Sequence, residues 1–109
     1  YEVGGMSAVA GVIPRLIFGD KGIPDPQDIK MALRDENLHY PKTTLICLEN
    51  THNRAGGTIT PPEVIEEICQ LAHQRNVQVH LDGARIFNAA IALNIELALL
   101  TKNVDSVMF

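Results

Sequence analysis

The segment Val77-Gln-Val-His-Leu-Asp-Gly-Ala-Arg-Ile-Phe-Asn88 decides the fold of this chain. Its valines at alternate positions predict a buried β-strand, and the composition of residues 84–93 favours a helix. Asp82 therefore falls at the carboxyl end of a strand, the edge at which open α/β sheets bind their ligands. Arg85 follows in the first helical turn, so its side chain lies on roughly the same side as the carboxylate. One anion and one cation are thus predicted to face the same cleft.

Strands and helices are predicted to alternate along the rest of the chain. Strands are predicted for residues 12–18, where Pro14 indicates an edge or bulged strand, for residues 43–49, and for residues 104–109. The second of these is apolar enough to be covered on both faces. The alternation predicts right-handed crossovers and a mostly parallel sheet between helices. We therefore expect an α/β fold of the three-layer αβα type, with no domain boundary inside the chain.

The helices between these strands have recognisable start signals. Asp25 is placed to cap a helix of residues 26–34, and Thr60 to cap a second helix, each followed directly by proline. Apolar side chains recur at helical spacing in the second, which predicts a surface helix over a sheet. A polar loop of residues 50–59 comes before it. A shorter helix is predicted near residues 95–100.

Composition and charge narrow the function classes. The chain has 109 residues, 46% of them hydrophobic and 20% charged, which is typical of a globular domain. Its net charge of −4 and its lack of a Lys/Arg cluster argue against binding to nucleic acid. Every apolar run is shorter than the roughly 18 to 20 residues that cross a bilayer, and no signal peptide opens the chain. We expect a cytoplasmic protein in which Cys47 and Cys69 stay reduced.

Both ends of the chain resemble interrupted elements. Tyr1-Glu-Val-Gly-Gly-Met-Ser-Ala-Val-Ala10 has no initiating methionine and no polar lead-in. Residues 104–109 have the pattern of a buried strand that nothing follows. We therefore expect a segment of a longer protein, whose sheet has further neighbours outside this chain.

Several of these signals also have a purely structural interpretation. Asp82 would serve equally well as the cap of the following helix, and Arg85 as a solvated residue of its first turn. His52 and His80 could join Asp82 as metal ligands, but no further ligand recurs at a recognisable spacing, so no metal is predicted. The glycines at residues 56–57 favour a turn over a phosphate cradle. Dinucleotide-binding, P-loop and serine-nucleophile motifs are absent.

Two longer motifs add a family resemblance. Leu48-Glu-Asn-Thr-His-Asn-Arg-Ala-Gly-Gly57 and His80-Leu-Asp-Gly-Ala-Arg-Ile-Phe-Asn88 closely resemble the low-specificity threonine aldolases, pyridoxal-phosphate enzymes of the aspartate-aminotransferase-like fold. The similarity covers essentially the whole chain. It implies that residues 1–109 are part of the cofactor-binding large domain. It also implies that the whole protein cleaves L-threonine or L-allo-threonine to glycine and acetaldehyde, as a homotetramer acting on a small amino-acid substrate.

The resemblance also implies roles for four residues. Asp82 would pair with the pyridine nitrogen of pyridoxal phosphate, and Arg85 would hold the substrate carboxylate. Asn53 would lie near the 3′-oxygen of the cofactor, and its structural alternative is a turn residue. His39 would lie near the β-hydroxyl of the substrate, and its structural alternative is a surface histidine. A carboxylate beside the ring nitrogen favours its protonated form, and a neutral histidine can accept the hydroxyl proton.

Three further groups of the family fall outside this chain. By the resemblance, the lysine that binds the cofactor covalently follows the position of Phe109, and a phosphate-binding Gly-Thr stretch and a ring-stacking histidine precede Tyr1. Lys102 is no substitute, because it comes before the last strand instead of after it. We therefore expect the segment alone to be inactive. Two alternatives stay open: a pyridoxal-phosphate-dependent β-eliminating lyase or another β-hydroxy-amino-acid aldolase, and a non-catalytic fragment or binding module.

Overall fold

The computed structural model describes residues 2–109, which build a parallel sheet with helices packed on it. A 3₁₀ turn at Glu2–Gly4 comes first, and the helices are α1 (Gly5–Ala10), α2 (Pro26–Ala32), α3 (Pro62–His73), α4 (Ile86–Leu93) and α5 (Ala98–Thr101). The strands are β1 (Gly19–Asp20), β2 (Ile23–Pro24), β3 (Leu45–Glu49), β4 (Gln78–Asp82) and β5 (Ser106–Met108). Strands β3, β4 and β5 pair in parallel in that order, while β1 and β2 form a short antiparallel hairpin. The predicted α/β class and parallel pairing are confirmed. Tyr1, where the family resemblance begins, lies outside the described residues.

The parallel register gives the sheet a covered face and an open face. Glu49 pairs with Asp82, and Cys47 pairs with His80. These four side chains share the open face, because alternate residues of a strand point to the same side. Leu81 points the other way and is fully buried, whereas Cys47 is exposed. Within residues 2–109, helices therefore cover one face of β3, where the sequence predicted cover on both. The described residues form two of the three predicted layers.

The hydrophobic core lies between the covered face and the helices. Helix α3 contributes a buried stripe made of Ile65, Ile68, Cys69 and Ala72, which recur every three or four residues. Burial raises the pKa of the Cys69 thiol to about 11, with smaller contributions from nearby carboxylates. Both cysteines are free thiols, Cys69 buried and Cys47 exposed. None of the helices in residues 2–109 has the length and apolar character that crossing a bilayer requires.

The strand predicted at residues 12–18 is wrong. These residues form no strand, and all of them are exposed. Arg15 holds the segment against α2, because its Nη1 donates a hydrogen bond of 2.8 Å to the carbonyl oxygen of Ala32. A strand needs a neighbouring strand with which it exchanges backbone hydrogen bonds. No strand among residues 2–109 lies beside the segment of residues 12–18. The β-type composition alone did not create the pairing.

One predicted helix cap is confirmed and the other is wrong. Asp25 caps α2, since its Oδ1 accepts a hydrogen bond of 2.8 Å from the backbone N–H of Gln27. Pro61, not Thr60, occupies the cap position of α3, where no side chain makes a capping hydrogen bond. Thr60 is buried instead, and its backbone N–H and C=O both bond to the side-chain amide of Asn50, at 3.3 and 3.1 Å. Thr60 is therefore part of the loop before α3, where it is bonded to Asn50, and it does not cap the helix.

A carboxylate joins the amino ends of β4 and β5. Asp105 Oδ2 accepts a hydrogen bond of 2.7 Å from the backbone N–H of Val79 and lies 3.0 Å from Nε2 of His73, at the end of α3. The hydrogen bond with His73 and then that from Val79 hold the pKa of Asp105 below its ordinary value. Ionised Asp105 thus ties a helix end to two strands.

We expect Asp105→Asn to make the whole protein less stable at neutral pH and less sensitive to acid. A carboxyl whose pKa is lowered by folding stabilises the folded state above its unfolded pKa of about 3.9, and this contribution disappears as the pH falls through the lower folded value. Urea unfolding at several pH values between about 7 and 3 measures this. The variant should lose less stability over the acid range than the wild type. Asp20→Asn, at an exposed carboxylate of β1, is the matched control. An equal acid dependence in wild type and Asp105→Asn would contradict the assignment.

Candidate active site

The three parallel strands end at one edge of the sheet, and the candidate site is built there. Glu49 and Asp82 are the last residues of β3 and β4, and Met108, the last of β5, pairs with Asp82. Gly83 follows at once, and its N–H donates a hydrogen bond of 2.7 Å to the carbonyl oxygen of Met108. A Cβ on Gly83 would lie 2.9 Å from that same oxygen, so no side chain fits there. Glycine at this position lets β4 leave the sheet close against β5, which fixes Asp82 at the edge.

Asp82 has the placement that the sequence predicted. Its side chain is partly exposed at the carboxyl edge, and its Oδ1 accepts a hydrogen bond of 3.0 Å from the backbone N–H of Ala84. The cap position of α4 belongs to Arg85, so Asp82 closes the turn before the helix and is not its cap. Among residues 2–109, Asp82 makes no ion pair. The carboxylate is therefore available to a cationic group that approaches from the open face.

Arg85 lies near a carboxylate that the sequence analysis did not single out. Its Nη1 is 3.7 Å from Oε1 of Glu49, and the two side chains are 34% and 31% exposed. The same Oε1 accepts a hydrogen bond of 3.0 Å from the backbone N–H of Asn53. Glu49 thus connects the first turn after β4 with the loop after β3. Its signal in the sequence was its position, since a charged residue that closes an apolar strand faces the same edge as Asp82.

The loop of residues 50–60 is held by its own hydrogen bonds. Asn50 is buried, and besides its side-chain bonds to Thr60, its backbone N–H donates to the carbonyl oxygen of Asp82 at 3.0 Å. The glycines at residues 56–57 have φ of +80° and +88°, and their N–H groups donate to the carbonyl oxygens of Asn53 and His52. Positive φ at both favours glycine. Because these amides are used inside the loop, the geometry favours the turn over the phosphate cradle.

The short hairpin of β1 and β2 lies against this loop. Gly22 has φ of +84°, and a Cβ there would lie 2.6 Å from Cγ of His52. His52 Nδ1 in turn accepts a hydrogen bond of 3.2 Å from the N–H of Ala55. His80 is engaged elsewhere, with its Nδ1 2.8 Å from Oγ of Ser106. Within the described part of the chain, no three His, Cys, Asp or Glu side chains are close enough to hold a metal ion.

His39 lies apart from the other predicted site residues. It is exposed in the turn between Asn37 and Tyr40, and its backbone N–H donates a hydrogen bond of 2.8 Å to Oδ1 of Asn37. This turn precedes β3, whereas the site lies where β3 ends. No hydrogen bond or ion pair in residues 2–109 links His39 to the edge. The structure therefore gathers three of the four predicted residues, Asp82, Arg85 and Asn53, and leaves the fourth outside the group.

The gathered residues fit a ligand that carries both a cation and an anion. Asp82 offers a carboxylate that makes no ion pair within residues 2–109, and Arg85 offers a guanidinium whose planar donors suit a carboxylate. The site is open to solvent at the edge of the sheet, where Asp82, Arg85 and Glu49 are all partly exposed. Two surface depressions, of about 280 and 450 Å³, lie against α2 and α4 and include none of these residues. The donor set suits the ring-nitrogen end of pyridoxal phosphate, and the described residues show no cradle for its phosphate.

Comparison with known proteins gives concordant matches. A family described as beta-eliminating lyase matches residues 1–109. Low-specificity L-threonine aldolase 1 of Arabidopsis thaliana is 43% identical over 98% of this chain, which corresponds to 31% of that relative. The low specificity L-threonine aldolase of Escherichia coli K12 is 36% identical over 97% of this chain, again 31% of the relative. The chain therefore spans about a third of the length of the curated relatives it matches.

Proposed function

The chain belongs to the beta-eliminating lyase family, and on that premise we propose that the whole protein is a pyridoxal-phosphate-dependent aldolase. It cleaves L-threonine or L-allo-threonine to glycine and acetaldehyde. The names of its relatives support this activity. The structural observation that carries it is the carboxylate of Asp82, which lies free of any described ion pair at the carboxyl edge of the sheet, with Arg85 three residues further on.

In this proposal the chain's residues divide the binding between cofactor and substrate. Bound pyridoxal phosphate supplies an electron sink for the pair released when the Cα–Cβ bond breaks. Asp82 holds the protonated ring nitrogen, because its negative charge favours that form. Asn53 would lie near the 3′-oxygen of the cofactor, as the family resemblance implies. Arg85 binds the substrate carboxylate through its fork of donors and so orients the Cα–Cβ bond.

Bond cleavage also requires a proton acceptor. As the bond to Cα breaks, the β-hydroxyl loses its proton, its oxygen becomes the carbonyl of acetaldehyde, and Cα is later protonated to give glycine. We assign His39 as this acceptor, since a neutral imidazole has a suitable basicity near neutral pH. The assignment rests on the sequence resemblance, because residues 2–109 place His39 away from the edge.

We expect His39→Gln to lower kcat for threonine cleavage by roughly 10²- to 10⁴-fold, the usual contribution of a general base. Cofactor affinity should be unchanged, because His39 faces the substrate in this proposal. Steady-state acetaldehyde release and a pyridoxal-phosphate titration measure the two quantities. His73→Gln, which changes the histidine that contacts Asp105 at the amino ends of β4 and β5, is the control. If kcat of His39→Gln stays within a few fold of wild type, another group accepts the proton.

The activity itself is tested on the purified whole protein supplied with pyridoxal phosphate. Acetaldehyde is followed by coupled NADH oxidation with L-threonine and with L-allo-threonine, and glycine by chromatography. We expect both products in equal amounts. A keto acid with ammonia in place of glycine would support a β-eliminating lyase. A protein that binds the cofactor but releases acetaldehyde from neither amino acid would refute the aldolase proposal.

We further propose a cytoplasmic homotetramer. The two free cysteines are consistent with a reducing compartment, and the tetramer follows from the family resemblance. Light scattering of the whole protein should give four times the protomer mass. Fractionation of the native cells should recover it with the cytosol.

A further inference from the structure

Two carboxylates are neighbours at the site, and the guanidinium of Arg85 lies 3.7 Å from one of them. Glu49 and Asp82 are partners in the parallel register of β3 and β4 and share the open face. Adjacent strands lie about 4.8 Å apart, so a cation near one carboxylate has the other as a close competitor. Arg85 follows Asp82 by three residues, yet its ion pair is with Glu49, and among residues 2–109 it forms none with Asp82.

Glu49 is fixed in place by the neighbouring loop. Its Oε1 accepts the hydrogen bond of 3.0 Å from the N–H of Asn53, and the following residue, Asn50, donates its own N–H to the carbonyl oxygen of Asp82. The carboxylate that attracts Arg85 is therefore held by one backbone N–H, that of Asn53, and the chain directly after Glu49 is bonded to β4. Its distance of 3.7 Å from Nη1 exceeds that of a hydrogen bond. The pair thus directs the guanidinium while leaving its N–H donors for another anion.

We propose that Glu49 is a positioning residue that keeps Arg85 from pairing with Asp82. Without this charge, Arg85 would turn to the remaining carboxylate and neutralise it. Asp82 would then attract the protonated ring nitrogen of the cofactor less strongly, because a paired carboxylate has less charge to offer. Glu49 thereby leaves Asp82 free to bind the cofactor and Arg85 free to bind the substrate carboxylate. This inference rests on the proposed use of pyridoxal phosphate at Asp82.

The test is a double-mutant cycle on the whole apo-protein, read as the Kd for pyridoxal phosphate. Glu49→Gln keeps an oxygen to accept the hydrogen bond from Asn53 but removes the charge. We expect it to weaken cofactor binding about tenfold, equivalent to one unit of ring-nitrogen pKa. Arg85→Met alone should leave the Kd within about twofold of wild type, since its proposed partner is the substrate. Combined with Glu49→Gln, it should restore wild-type affinity, because the guanidinium of Arg85 can then no longer occupy Asp82.

Other results would overturn the inference. An unchanged Kd in Glu49→Gln would do so, and so would a weakened Kd that Arg85→Met fails to restore, since that pattern indicates a structural role in the loop. The inference would also fail if Arg85→Met alone tightened cofactor binding by the same factor by which Glu49→Gln weakens it. The two effects would then be additive, and each charge would act on the cofactor independently of the other. Wild-type protein that binds the cofactor without releasing acetaldehyde refutes the aldolase activity and leaves this inference standing. Failure of the wild type to bind the cofactor refutes both.

Discussion

Asp82→Asn in the whole protein should lower kcat/KM for threonine cleavage by about 10²- to 10³-fold, the usual loss when one preorganised electrostatic contact is removed. The amide has nearly the same shape as the carboxylate and can still accept the hydrogen bond from Ala84. It has no negative charge, however, so it no longer favours the protonated ring that withdraws electrons from the breaking bond. Acetaldehyde release measures the loss, and the absorbance of the bound cofactor shows whether the site still fills.

The control for this variant is Asp20→Asn, which removes an exposed carboxylate from the hairpin of β1 and β2. It changes the net charge by the same amount without altering a residue of the parallel sheet. The thermal midpoint of Asp82→Asn should stay close to that of wild type, since its side chain is partly exposed and makes no ion pair in residues 2–109. If Asp82→Asn retained wild-type activity, the role that the proposed function gives to Asp82 would be refuted.

Arg85→Gln should raise KM for L-threonine about 10²-fold, which corresponds to about 2.7 kcal/mol of lost substrate binding. The neutral amide loses both the charge and the fork that hold a carboxylate at two points. Arg85→Lys retains the charge without the fork and should fall between glutamine and wild type. Steady-state kinetics with L-threonine measures both variants, and the Kd of pyridoxal phosphate should change little in either.

A matched arginine is available as a control for the Arg85 variants. Arg75 pairs with Asp35 at 3.3 Å on the protein surface, outside the site. Arg75→Gln removes the same charge and should leave KM unchanged. The assignment of Arg85 fails if its glutamine variant behaves like Arg75→Gln. A large loss of cofactor affinity in Arg85→Gln would instead move the arginine from the substrate to the cofactor.

Local signals predicted most of the elements that carry the site. The alternating valines before Asp82 predicted β4, and the position of Asp82 at its end follows from the strand itself. Asp25 beside Pro26 predicted the start of α2, because capping depends on residues that are adjacent in the chain. The family motifs supplied the proposed roles of Asn53 and Arg85. For β4 and for the start of α2, the interactions that shape the structure span only a few residues of the chain.

Tertiary contacts decided the features that these patterns left open. Residues 12–18 have a strand-like composition, but no strand of residues 2–109 lies beside them, so they stay outside the sheet. Thr60 has a capping side chain, but the amide of Asn50 bonds its backbone and Pro61 takes the cap position. The sequence also contains no sign that Arg85 would pair with Glu49 and not with Asp82, which is nearer along the chain.

The sequence by itself therefore determined which residues stand at the strand ends of this protein and which charges they carry. Periodicity and capping act over a few neighbouring residues, so a linear pattern suffices to predict them. Only the tertiary structure decided that Glu49 lies beside Asp82, that Glu49 accepts a hydrogen bond from the backbone N–H of Asn53, and that Arg85 pairs with Glu49. These partners are 4 to 36 residues apart in the chain, and their contact depends on the register of β3 against β4. A shift of one residue in that register would turn Glu49 to the opposite face of the sheet.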